Sequence, residues 1–185
     1  MEKYGDIALV IFDFDGTIAH FKVDWESLRM ELREYFKRIY GFESDFSMLY
    51  REIDRINDLF GRRARDEALA IIEKHELTGV EDVEFIPETM RFIENLRVRG
   101  VKLAIFSCNT RKAVERTLMK ANKLRFFESI VTLEDVSKTK PDPEGLYKIL
   151  SAFKVSKSQI LLVGDKQRDL EAGVRAGIKT VLIKD

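Results

Sequence analysis

The sequence predicts an α/β protein: a Rossmann-like core with a parallel five-stranded sheet, carrying an inserted all-helical cap domain. Three observations predict it. Five short apolar runs each stop abruptly at polar or turn residues. From Pro87 onward these runs alternate with stretches of helical period, the pattern of a parallel sheet covered on both faces. The polar residues that carry chemistry follow strand ends: Asp13 and Asp15, Ser107 and Asn109, Gly164 and Asp165. In a parallel sheet those ends share one edge, where open α/β folds hold their sites.

The first strand is the run over residues 7–12, which ends at Asp13-Phe14-Asp15-Gly16-Thr17. The period then changes. Trp25, Leu28, Leu32, Tyr35, Phe36 and Ile39 recur at helical spacing, with Asp24 placed to cap and Gly41 to stop. Phe46, Leu49, Ile53, Ile56 and Phe60 repeat the pattern up to Gly61. A third helical stretch is expected over residues 63–75, with Ala64, Ala68, Ile71 and Ile72 on its apolar side. No strand is expected from His20 to Phe85. Residues 20–85 therefore form the cap, and 1–19 with 86–185 form the core.

Within the core, Pro87 opens a helix that Gly100 closes. Strands are expected at 101–106, 129–133, 160–163 and 180–183. Helices are expected at 110–122, from Asp142-Pro143 to about Phe153, and at 167–176 before Gly177. Crossovers between parallel strands should be right-handed.

Composition narrows the classes. Lys+Arg and Asp+Glu both number 32, and this zero net charge offers nothing to nucleic acid or an anionic membrane. One cysteine, Cys108, excludes an internal disulfide framework and fits a reducing compartment. The apolar run at the start is too short to span a bilayer and lacks the pattern of a secretion signal. A cytoplasmic location is expected.

The chemistry at the first strand end is specific. A carboxylate such as Asp13 can act as a nucleophile and form an acyl phosphate. Asp15, two residues on, offers a second carboxyl group, and carboxylate oxygens suit a divalent cation. Gly16 permits a tight turn and close approach of a ligand. An ordinary acidic turn closing a strand would read the same over these residues alone.

Four motifs taken together resemble the haloacid dehalogenase superfamily phosphatases: Asp13-Phe14-Asp15-Gly16-Thr17, Ser107 with Asn109, Lys140-Pro141-Asp142-Pro143, and Gly164-Asp165 followed by Asp169. The insert falls between the first and second motifs, as in the helical-cap (C1) subgroup that includes phosphoglycolate phosphatase-like and β-phosphoglucomutase-like proteins. The resemblance implies Asp13 as nucleophile and Asp15 as general acid and base. It implies Mg²⁺ held by Asp13, Asp15 (through its carbonyl) and Asp165. It implies phosphate binding by Ser107, the loop through Cys108 and Asn109 with its helix-start amides, and Lys140. Thr17, Gly164 and Asp169 would stand behind these, with Asp169 orienting Lys140 or a metal-bound water. The cap would close over a small phosphorylated metabolite, swinging at residues 19–22 and 84–87. The protein is expected to act as a monomer or homodimer, without nucleic acid or membrane.

Within the cap, Arg62, Arg63 and Arg65 form a basic cluster that could grip an anionic substrate tail. A solvated helix start balanced by Asp66 and Glu67 is the better-weighted alternative. His20 is a further candidate at the cap entrance. Trp25 is read as an anchor of the cap core, His75 as a helix-end residue and Cys108 as a packing residue. The leading expectation is a Mg²⁺-dependent phosphatase with a phosphoglycolate-like substrate. A phosphomutase, a pyrophosphatase or nucleotidase of the same superfamily, and an idle phosphate-binding module remain alternatives. A signalling receiver fits poorly, since its acceptor Asp lies at a later strand and no cap follows its first.

Overall fold

The computed structural model describes residues 6–183. Strands β1 (Leu9–Phe12), β4 (Lys102–Phe106), β5 (Ser129–Val131), β6 (Ile160–Gly164) and β7 (Lys179–Leu182) form one parallel sheet in the order β5-β4-β1-β6-β7. The chain builds outward from β1 through β4 to β5, then returns to lay β6 and β7 on the other side. β1 is therefore the strand where the winding reverses, and the crevice at its carboxyl end is the expected ligand position.

Alternation along the strands explains the two-sided core. Val10 and Phe12 face one apolar cluster with Leu103 and Ile105, while Leu9 and Ile11 face another with Ala104 and Phe106. Helices α3 (Pro87–Val98) and α4 (Arg111–Lys120) cover the first face through Ile93, Leu96, Val114 and Leu118. Helices α5 (Glu144–Ala152) and α6 (Gln167–Ala176) cover the second through Leu146, Ile149, Ala172 and Ala176. α5 opens after Pro143 rather than at it, and Asp142 Oδ1 accepts from the Glu144 amide at 2.9 Å. Register aligns Phe12 with Ile105 and Val163, so Asp13 falls level with Phe106 and Gly164, the last residues of β4 and β6.

The insert follows β1. Helix α1 (Trp25–Tyr40) is capped by Asp24, which accepts from the Ser27 amide at 3.0 Å, and ends at left-handed Gly41. Leu28, Leu32 and Phe36 form its buried stripe. Helix α2 (Leu49–Glu81) bends at Gly61, whose φ of 81° and ψ of −179° break the helical path. The two expected helices either side of Gly61 are thus the halves of α2. The second half runs on to Glu81, six residues past the expected end, because Gly79 and Val80 are buried too and extend its packed side.

One expectation is corrected at the base of the insert. β2 (Ala19–His20) and β3 (Glu84–Phe85) pair antiparallel, at the two segments expected to be hinges. Two-residue strands are too short to leave a periodicity in the sequence. Among the described residues, no helix is long and apolar enough to cross a membrane.

Candidate active site

Lys140 is the centre of the site. Its side chain is fully buried, and its ammonium donates to Asp13 Oδ1 at 2.5 Å, Asp169 Oδ1 at 2.7 Å and the Phe106 carbonyl at 2.9 Å. Two strand ends, the first turn of α6 and the loop before α5 thus converge on one nitrogen. Burial alone would lower Lys140, but the carboxylates of Asp13 and Asp169 outweigh it and hold the group above its usual range. Burial lifts Asp13 to about 6, against the pull of Lys140. The proton therefore stays on Lys140, and Asp13 is ionised at neutral pH. Burial also works against the charge on Asp169, but Lys140 holds this carboxyl below the usual range.

Asp13 Oδ2 is buried and, among the described residues, has no hydrogen-bond partner. Its carboxylate lies with those of Asp165 and Asp169 in a cluster whose ligand oxygens are all within 4.8 Å of one another. Both oxygens of Asp169 are engaged, by Lys140 and by the Lys166 amide at 3.0 Å. Asp165 instead receives a long bond from Thr17 Oγ1 at 3.4 Å and pairs with exposed Lys166. Gly16, at φ +87°, leaves no room for a Cβ beside the Asp165 carboxylate. An unpartnered anionic oxygen next to a second carboxylate is a hard-oxygen donor set, which fits a divalent cation.

Asp15 lines a pocket of about 660 Å³ between the sheet edge and the insert, together with Lys140 and Lys166. Burial raises its pKa, although the Phe21 amide donates to Oδ1 at 3.1 Å. Ser107 and Asn109 form a closed pair: the Ser107 hydroxyl donates to Asn109 Oδ1 at 2.8 Å, and the Asn109 amide donates back at 3.0 Å. Cys108 is buried, and that burial pushes its thiol up. Gly164 packs directly on Asp169, so the glycine sets that carboxylate's position.

The helix-start amides expected to cradle phosphate are already engaged. Thr110 N–H donates to Glu76 Oε2 at 2.8 Å, and Arg111 N–H donates to Glu134 at 3.0 Å. Carboxylates from α2 and from the segment 133–135 thus take two of the donors at the start of α4. Glu76 also accepts from Asn109 Nδ2 at 2.8 Å and Thr110 Oγ1 at 2.6 Å. The sequence reading missed Glu76, which lies beyond the expected helix end. Its signal was there: it continues the i+4 stripe of Ala64, Ala68 and Ile72.

The basic cluster of the insert is not brought to this pocket. Arg62 pairs with Asp66 at 2.8 Å and Arg63 with Glu67 at 3.2 Å, both at i,i+4. Arg65 is not solvated at all; it is fully buried, bonding Asp54 and the Leu133 carbonyl at 3.2 Å each. His20 is half-buried in β2 opposite Glu84 and is absent from the pocket lining. His75 lies inside α2 and contacts Glu31 at 2.7 Å. Trp25, expected only as a core anchor, also forms part of the pocket wall, as do Arg29, Tyr50, Arg51 and Arg168.

A family model described as haloacid dehalogenase-like hydrolase matches residues 10–183. The chain is 30% identical over 184 residues to pyrophosphatase PpaX of Halalkalibacterium halodurans, covering 96% of this chain and 84% of that protein. Its fold is similar to CbbY from Rhodobacter sphaeroides in complex with xylulose-(1,5)bisphosphate, with a TM-score of 0.70, 18% identity, and 97% of this chain and 87% of that one covered. It is also similar to a HAD-superfamily hydrolase, subfamily IA, variant 1, from Geobacter sulfurreducens, with a TM-score of 0.61, 20% identity, and 98% and 90% covered.

Proposed function

The chain belongs to the haloacid dehalogenase-like hydrolase family and is a phosphatase, and from that premise we propose that it hydrolyses a small phosphorylated compound through a phosphoryl group carried on Asp13. The observation that carries this reading is the Asp13 carboxylate, with one oxygen held by Lys140 at 2.5 Å and the other buried without a partner. Lys140 keeps Asp13 ionised and fixes its direction. The free oxygen is where nucleophilic or cation-binding capacity remains.

In the proposed sequence, Asp13 attacks phosphorus and the bond to the leaving oxygen breaks. Asp15, whose pKa is raised by burial, delivers a proton to that oxygen. Asp15 then takes a proton from the water that attacks the phospho-aspartate, which releases phosphate and restores Asp13. Lys140 and the Ser107 hydroxyl neutralise the equatorial oxygens, the main demand of phosphoryl transfer. Asp169 holds Lys140 in place. We assign Asp13, Asp165 and the main-chain carbonyl of Asp15 to a magnesium ion, which when bound supplies positive charge beside the transferring group. Residues 20–85 act as the cap that excludes water.

The relative's name makes inorganic pyrophosphate a substrate to assay, beside the phosphoglycolate expected from the sequence. The test of the core proposal is phosphate release from p-nitrophenyl phosphate, with Mg²⁺ and with chelator, against Asp13→Asn. Turnover that requires both the ion and Asp13 is the expected result. Turnover that survives in Asp13→Asn would assign the nucleophile elsewhere.

A further inference from the structure

The pocket of about 660 Å³ has two unlike walls. The core supplies Asp15, Lys140, Lys166 and Arg168, and this wall is charged. Its lysines are already paired, Lys140 with Asp13 and Asp169, and Lys166 with Asp165. The insert supplies Trp25, Met48, Leu49 and Tyr50, which are apolar or aromatic. Polar residues stand among them, but Asp54 is taken by Arg65 and Thr139, and Arg51 lies 4.0 Å from the Met48 sulfur. Leu49 is buried, and the Tyr50 ring is faced by the Arg168 guanidinium at 4.7 Å. Trp25 packs against the buried apolar cluster yet stays partly exposed, and Met48 is 58% exposed.

The charged wall decides which end of a substrate lies where. Phosphorus must reach Asp13, and the leaving oxygen must lie by Asp15. Whatever that oxygen carries extends into the remaining space, whose wall includes Trp25 and Met48. Sites of this size orient a ligand with a few polar groups and hold it with apolar and aromatic ones. A small, fully polar leaving group gains nothing from an indole and a thioether. A flat carbon ring gains from both, because an indole stacks with it and a methionine sulfur adapts to its edge. Arg29 lies one helical turn beyond Trp25 and lines the same pocket, and a guanidinium plane also stacks on rings.

We propose that Trp25 and Met48 form a subsite for a flat, apolar leaving group, so that the substrate is a phosphate ester of an alcohol or phenol bearing an aromatic ring. This rests on the phosphatase reading and adds a substrate class to it, distinct from inorganic pyrophosphate and from phosphoglycolate. Trp25 supplies a platform fixed by its packing, and Met48 supplies the adaptable side.

Titration of the whole protein with Mg²⁺ and phosphonates, which carry no ester bond to break, tests this without turnover. Calorimetry compares methylphosphonate, cyclohexylmethylphosphonate and benzylphosphonate. Benzylphosphonate is expected to bind about tenfold tighter than methylphosphonate, the scale of one aromatic contact with its buried area, and at least about threefold tighter than the cyclohexyl probe. Trp25 is the chain's single tryptophan, so its fluorescence reports this wall alone. 4-Nitrobenzylphosphonate should quench it saturably. Trp25→Ala and Met48→Ser should each cut the benzyl-to-methyl ratio about threefold or more, and Met48→Ser alters an exposed side chain outside the buried cluster. The subsite is overturned if the ratio on the unaltered protein is below about threefold, if the cyclohexyl probe binds as tightly as the benzyl one, or if the ratio survives in both variants. Failure of the phosphatase reading would appear separately, as p-nitrophenyl phosphate turnover indifferent to Asp13.

Discussion

Glu76 and Thr110 are joined twice: the Glu76 carboxylate accepts the Thr110 amide at 2.8 Å and the Thr110 hydroxyl at 2.6 Å. Glu76 belongs to the insert and Thr110 to the turn that opens α4 in the core. The other Glu76 oxygen takes Asn109 Nδ2, which turns Asn109 Oδ1 toward the Ser107 hydroxyl. A residue of the insert therefore dictates the hydrogen-bond direction of a side chain assigned to phosphate.

Glu76→Gln should separate this relay from simple packing. The glutamine amide would present N–H groups to the Asn109 amide, donor against donor. Asn109 must then turn, and the Ser107 hydroxyl is no longer held in its present position. We expect kcat/KM for p-nitrophenyl phosphate to fall about tenfold, the scale of one neutral hydrogen bond. Steady-state kinetics beside a circular dichroism spectrum checks it; an unchanged kcat/KM would remove the relay.

Glu76 also makes stability depend on pH. Burial lifts its pKa from 4.5 to about 7, against three hydrogen bonds that favour the charge. Between those values the folded protein holds a proton that the unfolded chain has released. The contribution of this group is therefore complete below pH 4.5 and is lost as pH rises through about 7. The loss is about 3 kcal/mol in order of magnitude. Urea unfolding from pH 4.5 to 8 should show the wild type losing stability relative to Glu76→Gln, and parallel curves would contradict the shift.

Lys140→Met should be destabilising by about 3–5 kcal/mol, the cost of stranding buried charge. Asp13 and Asp169 would face each other without the ammonium that now bonds both. Adding Asp169→Asn to that variant removes one stranded charge and should recover part of the loss. Chemical denaturation of the single and double variants measures both effects.

Gly16→Ala should act on the carboxylate behind it. A side chain there would overlap Asp165, and the φ of +87° disfavours any Cβ by about 1–2 kcal/mol. Displacing Asp165 should raise the Mg²⁺ dissociation constant about tenfold or more, read by calorimetry on the metal alone. An unaltered constant would take Asp165 out of the cation site.

The sheet edge was legible because its determinants are local: a buried strand advertises itself by its apolar run, and the acids behind Phe12 and Val163 follow directly. The order of the sheet then brings Asp13, Ser107, Lys140 and Asp165 together. The pocket's arginines were not legible. Arg29 and Arg168 sit singly in amphipathic helices, and nothing in their neighbourhood marks them off from solvated residues. Arg62, Arg63 and Arg65 drew notice by density, yet Asp66 and Glu67 absorb the first two at i,i+4 and Asp54 absorbs the third. Pairing across the bend of α2 is a property of the fold that spacing cannot express.

The bend at Gly61 has its own consequence. The arm before it carries Asp54, which takes the Thr139 amide and hydroxyl at 2.9 Å each, one residue from Lys140. The arm after it carries Glu76, bound to Thr110 near Ser107. α2 is thus a yoke harnessed at both ends to the machinery it shelters. Were the insert to swing off the sheet edge, both harnesses would slip, and the machinery would come apart as the doorway widened.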